Sequence, residues 1–124
     1  MTEGSPGVDL AVHLPRLVGG SARVDSLLAE AVRSRVNPGS GVRVAEVLAR
    51  ELRDGSRTAA RRLVEVLVGD LHARTVVVVG APDSFLVRVH AAAVEQGCVD
   101  QVFARRLGAG EALLIADYLD SVSP

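Results

Sequence analysis

A chain of 124 residues is long enough for one domain with its own core and short for two. Hydrophobic residues make up 48% and charged residues 23%, the balance of a folded chain; 14 basic against 15 acidic residues leave a net charge of -1, which excludes a global attraction to nucleic acid or to an anionic membrane. Every basic residue is arginine, so a lysine Schiff base and a lysine-bearing phosphate loop are ruled out, and the single cysteine, Cys98, rules out an internal disulfide and a Cys-rich metal site.

Residues 1–7, rich in turn formers, are predicted to be a flexible arm, residues 8–120 one globular domain, and residues 121–124 a frayed tail. From Val8 to Leu14 apolar residues alternate with Asp9, Ala11 and His13, the period of a half-buried strand, and Pro15 limits it. After the Gly19-Gly20-Ser21 turn, Val24, Leu27, Leu28, Ala31 and Val32 form one stripe and predict a helix over 22–35 with Ser21 as its N-cap. Asn37-Pro38-Gly39-Ser40-Gly41 is expected to end that helix. Val44, Val47, Leu48 and Leu52 then recur at helical spacing and predict a second helix over 42–53. Beyond the Asp54-Gly55-Ser56 break, Ala60, Leu63, Val64, Leu67 and Leu71 predict a third over 57–71, with Arg57, Arg61, Arg62 and Glu65 on its polar side. Arg43-Val44-Ala45-Glu46-Val47-Leu48 resembles Arg62-Leu63-Val64-Glu65-Val66-Leu67, but three similar amphipathic helices explain this better than a helical repeat.

The pattern then changes. Thr75-Val76-Val77-Val78-Val79 is continuously β-branched and closed by Gly80, which predicts a central strand apolar on both faces. Ala81-Pro82-Asp83-Ser84 opens a helix carrying Leu86, Val89, Ala93 and Val94, broadened by Phe85 and Ala92, with Gly97 as its C-terminal cap. Val99–Ala104 reads as a short strand or a helical turn, so residues 75–104 are a candidate parallel βαβ unit. After Gly108-Ala109-Gly110, residues 112–116 fit a strand, while Leu113 to Leu119 fit a closing helix. The partner expected for strand 75–79 is strand 8–14, with 99–104 as a third. The fold class is therefore α+β or small α/β: a helix-rich single domain with a two- or three-stranded sheet.

Chemistry is sparse. His13, His72 and His90 lie 59 and 18 residues apart with no metal-ligand spacing, so no metal is assigned. Cys98 has no local base and reads as a small core residue; no catalytic set and no cofactor are assigned. The loop Gly80, Asp83, Ser84 sits where open α/β sheets bind ligands, but the carboxylate of Asp83 occupies the anion position and serves better as a local cap. Residues 50–62 hold Arg50, Arg53, Arg57, Arg61 and Arg62 against Glu51 and Asp54, across what reads as helix, break and helix; the helix-turn-helix alternative would place Arg53, Arg57, Arg61 and Arg62 on DNA. No aromatic interleaving or polybasic cluster supports a membrane or single-strand partner.

The preferred expectation is a cytoplasmic, non-catalytic protein-protein interaction or assembly module acting as a homo-oligomer or with a protein partner. A small domain has much surface for its core, so an aliphatic surplus favours assembly. Val66, Val68, Phe85, Ala92 and Tyr118 are the candidate interface residues. The alternatives are a DNA-binding regulator and a small-ligand or enzymatic α/β domain built on the 80–84 loop.

Overall fold

The computed structural model describes residues 8–35, 41–108 and 110–122. In chain order its elements are β1 (Leu10–His13), β2 (Leu17–Val18), α1 (Ser21–Arg33), β3 (Val44–Leu48), β4 (Asp54–Gly55), α2 (Arg57–Val64), β5 (Thr75–Val79), α3 (Asp83–Glu95), β6 (Val102–Arg105), β7 (Leu113–Leu114) and α4 (Ile115–Val122). The five-stranded sheet has the order β1-β3-β5-β6-β7, parallel except for β7, and β2 pairs with β4 in a separate two-stranded parallel sheet. This is a helix-rich α+β domain.

Local chemistry explains most of these elements. Ser56 caps α2: its hydroxyl accepts from the Ala59 N–H at 3.0 Å and donates to the Gly19 carbonyl at 2.7 Å, tying the entry of α2 to the chain before α1. Gly97 ends α3 with φ of 73°, and the Cys98 N–H reaches the Ala93 carbonyl at 2.9 Å, a closure that carries Cys98 into the core. The β-branched run forms β5 as read, and 99–104 resolves into both readings, a 3-10 turn over Val99–Gln101 followed by β6. Residues 112–119 likewise divide between β7 and α4.

The largest correction concerns residues 42–53, which form β3 and a turn where the stripe predicts a helix. Val42, Val44 and Val47 are β-branched, and an apolar run this short satisfies both periods. Insertion between β1 and β5 decides the matter: Ala45 and Val47 are fully buried against the helices, whereas Val44 and Leu48 turn to the opposite face. The central strand β5 therefore pairs with β3 and β6, not with strand 8–14, and the sheet has five strands in place of two or three. With no second helix, the similarity of 43–48 to 62–67 is no repeat, and residues 50–62 contain no helix-turn-helix.

Smaller differences follow from geometry. Gly20 is the N-cap of α1 and Ser21 its first residue, making no capping bond; Pro82 caps α3, with Asp83 as its first residue. The third helix does reach residue 70, but as a π-helix over Glu65–Asp70, where the Leu71 N–H bonds the Val66 carbonyl at 2.8 Å. Val94 lies on the outer face of α3. The expected arm at 1–7, the turn at 37–40 and the tail residues 123–124 lie outside the described residues.

Strand order governs the layers. From β1 to β6 each crossover advances one strand in the same direction, and right-handed crossovers that never reverse place every helix on one face. Accordingly α1 packs on α2, α2 on α3 and α3 on α4. Leu10, Val12, Ala45, Val47, Val76, Val78, Val102 and Ala104 project into that layer and are at most 1% exposed.

Candidate interaction surface

The other face of the sheet carries no helix among the described residues. Register places Ala11, Glu46, Val77, Phe103 and Leu114 in one row across it, and His13, Leu48, Val79 and Arg105 in the next toward the carboxyl ends of the parallel strands. Ala11 and His13 are exposed; Val44, Leu48, Val77, Phe103 and Leu114 are half-buried. An open sheet face ordinarily presents polar residues to water, so this aliphatic and aromatic surface is unusual. Its one buried charge, Glu46, is met across β5 by Arg105, with Nη2 to Oε2 at 3.1 Å. This pair keeps an acid on a central strand by supplying its counter-charge.

Two hollows adjoin the face, and His13 and Leu48 line both. One, of about 610 Å³, runs along β1 beneath Leu27, Glu30 and Ala31 of α1. The other, of about 320 Å³, lies at the carboxyl ends of β1, β3 and β5, where Leu14, Leu48, Val79 and Leu107 form its walls and Arg50 and Glu51 its rim. At the start of β3, Asp9 accepts from the Val44 and Arg43 N–H groups at 3.0 and 2.9 Å; these two donors, Val44 foremost, hold its carboxyl below the usual aspartate range.

Because β1, β3, β5 and β6 are parallel, the loops that leave their carboxyl ends gather at the same pole. Arg53 and Asp54 donate backbone N–H groups to the Arg16 carbonyl at 2.8 and 3.1 Å, which sets Arg16 beside Arg53. Gly80, at φ of 72°, lies against Arg50 and Leu107: a Cβ there would sit 3.4 Å from the Arg50 Cα and 3.5 Å from the Leu107 Cβ. Arg57 opens α2 and Arg106 follows β6. Arg16, Arg50, Arg53, Arg57 and Arg106 are all exposed.

The residues singled out by sequence distribute unevenly over these surfaces. Phe85, Ala92 and Tyr118 are 1%, 6% and 8% exposed and are spent inside the protomer, while Val66 and Val68 are half-buried against the core; the five share no surface patch. Of the arginines proposed for DNA, Arg53 and Arg57 reach the pole. Arg61 instead pairs with Glu95 at 3.0 Å, and Arg62 pairs with Asp25 at 2.6 Å and with Glu65, contacts that raise its pKa above the usual guanidinium value, Asp25 first. Gly80, Asp83 and Ser84 do form a βα turn, but the strand order from β1 to β6 has no reversal point beside it, and none of the three lines the hollow at the carboxyl ends. Cys98 is buried, and burial, then Asp100, pushes its thiol up. No group of His, Cys, Asp or Glu among the described residues is arranged to hold a metal ion, and no helix there is long and apolar enough to cross a membrane.

Sequence reading missed Arg16 and Arg106 at the pole and the Glu46–Arg105 pair. No local motif marks them; for Arg16 and Arg106 the available signal is a position three and one residues beyond a strand, while Glu46 and Arg105 meet only through the order of the strands. Compared with known protein families, with curated proteins and with solved structures, the chain finds no match.

Proposed function

We propose that this domain is a non-catalytic protein-interaction or assembly module that docks through the uncovered face of its five-stranded sheet. The observation that carries the reading is the row Val77, Phe103 and Leu114 with Val44 and Leu48 beside it: apolar side chains on a face that no helix of the described residues covers. Covering such a face removes apolar area from water at about 25 cal/mol per Å². The proposal moves the contact surface away from Phe85, Ala92 and Tyr118, which are already used within the protomer.

The test compares wild type with Val77→Lys, whose long side chain reaches solvent from a half-buried position while placing a charge at the centre of the face. Sedimentation equilibrium and capture from native lysate should show wild type with a self-partner or a stoichiometric companion, and the variant with neither. A wild type that stays monomeric to about 100 μM, a range that covers weak association, and that captures no companion would remove the reading.

A further inference from the structure

We infer that the cleft at the carboxyl ends of β1, β3 and β5 docks an acidic peptide segment carrying an aliphatic or aromatic anchor. The inference rests on the interaction-module reading and adds the chemistry of the partner. Its first support is continuity: His13 and Leu48 belong both to the open face and to the cleft, with the buried Val79 in the same row, so one surface bends from sheet into pole. The second is the shape of the apolar part. Leu14, Leu48, Val79 and Leu107 enclose about 320 Å³, at the small end of binding cavities and suited to one or two side chains. Leu107 stands 60% exposed at its mouth, and Leu17, farther along the same pole, is 67% exposed.

Charge supplies the third support. Arg16, Arg50, Arg53, Arg57 and Arg106 have no ion pair with any carboxylate of the described residues, whereas Arg61 and Arg62 on α2 are neutralised by Glu95, Asp25 and Glu65. Nearby, Asp54 is matched by Arg88 at 3.4 Å and Glu46 by Arg105, leaving Glu51, Asp83 and Glu111 as the uncompensated acids of the pole among the described residues, fewer than its five arginines. The pole is therefore basic in a chain whose net charge is -1, and the amino termini of α1, α2 and α3 add their positive ends to it. Such a potential speeds and orients the approach of an acidic partner. Nucleic acid is the poorer occupant: the arginines could meet phosphates, but among the described residues the pole offers no free aromatic ring for stacking, since Tyr118 is buried beneath the Arg106 guanidinium at 5.9 Å, and the leucine walls of the cleft would stay unfilled by a phosphate backbone.

The experiment uses the whole chain and four labelled probes read by anisotropy. They are a 12-residue peptide with Asp and Glu flanking a central Leu-Leu, the same peptide with Ser-Ser at its centre, a 12-nucleotide single strand, and a 12-base-pair duplex. The Leu-Leu peptide should bind with Kd in the tens of micromolar, roughly tenfold tighter than the Ser-Ser peptide or either DNA, and weaken several-fold between about 50 and 300 mM salt. Arg50→Glu with Arg53→Glu should weaken it by about tenfold or more, and Leu107→Ser should remove most of the Leu-Leu preference. All three positions are exposed, and the peptide pair and salt series need no variant. Equal affinity for the two peptides, tighter binding of either DNA, or indifference to charge reversal would overturn the inference. A wild type that captures a partner through the Val77 face yet ignores the Leu-Leu peptide would overturn this inference alone, whereas peptide binding without any captured partner or self-association would support it and count against the open-face reading.

Discussion

Gly55 is where the small two-stranded sheet meets the helix layer, and adding one methyl there should be costly. A Cβ at residue 55 would lie 2.4 and 2.5 Å from Cδ1 and Cε1 of Phe85, against about 3.5–4.0 Å for ordinary carbon contacts. The ring is 1% exposed and cannot swing into solvent, and α3 is held to the same spot because the Arg88 guanidinium donates to the Gly55 carbonyl. The ring or β4 must therefore move by about 1 Å, which places Gly55→Ala at the upper part of the 1–3 kcal/mol range for overpacking. For a domain of this size that is a fall in Tm of roughly 8–12 °C. Urea or thermal unfolding measures it, with Gly69→Ala as control, since a Cβ there meets nothing within 4 Å and the helical site favours alanine. Phe85→Leu should cost about 1 kcal/mol or more alone, yet make Gly55→Ala less damaging, giving a coupling of roughly 1 kcal/mol in the double-mutant cycle. Gly55→Ala within about 0.5 kcal/mol of wild type would refute the contact as the reason for glycine.

Other outcomes follow from neighbouring observations. Val78→Asp, at a residue 1% exposed beneath the helices, should abolish cooperative unfolding, whereas Val77→Lys on the open face should lose no more than about 1–2 kcal/mol; equal damage at both sites by circular dichroism melts would mean that the face is covered. Asp9 has a lowered pKa, so its contribution is present above the unfolded aspartate value of about 3.9 and is lost as pH falls through the lower folded value. Asp9→Asn should then show a shallower loss of stability below about pH 4 than wild type, read as urea midpoint against pH. Cys98 should resist a disulfide-exchange reagent at pH 8 in the native protein and react at once in denaturant; fast native labelling would contradict its buried, raised thiol. His72 holds φ of 57° just after the π-helix, a conformation that glycine adopts freely, so His72→Gly should change stability by between zero and about +1 kcal/mol, and a clear loss would reveal a role for the imidazole.

The sequence by itself determined the elements whose cause is local. Five consecutive β-branched residues make a poor helix anywhere, so β5 was legible, as were the stripe of α1, the Asp54-Gly55-Ser56 entry to α2 and the βαβ unit ending at β6. Only the tertiary structure decided residues 44–48: an apolar run of that length fits both periods, and pairing with β1 and β5 made it a strand. That one insertion set the order β1-β3-β5-β6, which fixes the rest. A parallel order that never reverses sends all its helices to one face and leaves Val77 and Phe103 on the other. The same order delivers the loops after β1, β3, β5 and β6 to one pole, which is why Arg16, Arg50, Arg53, Arg57 and Arg106, spread over 91 positions of the chain, share a surface that no window of sequence contains.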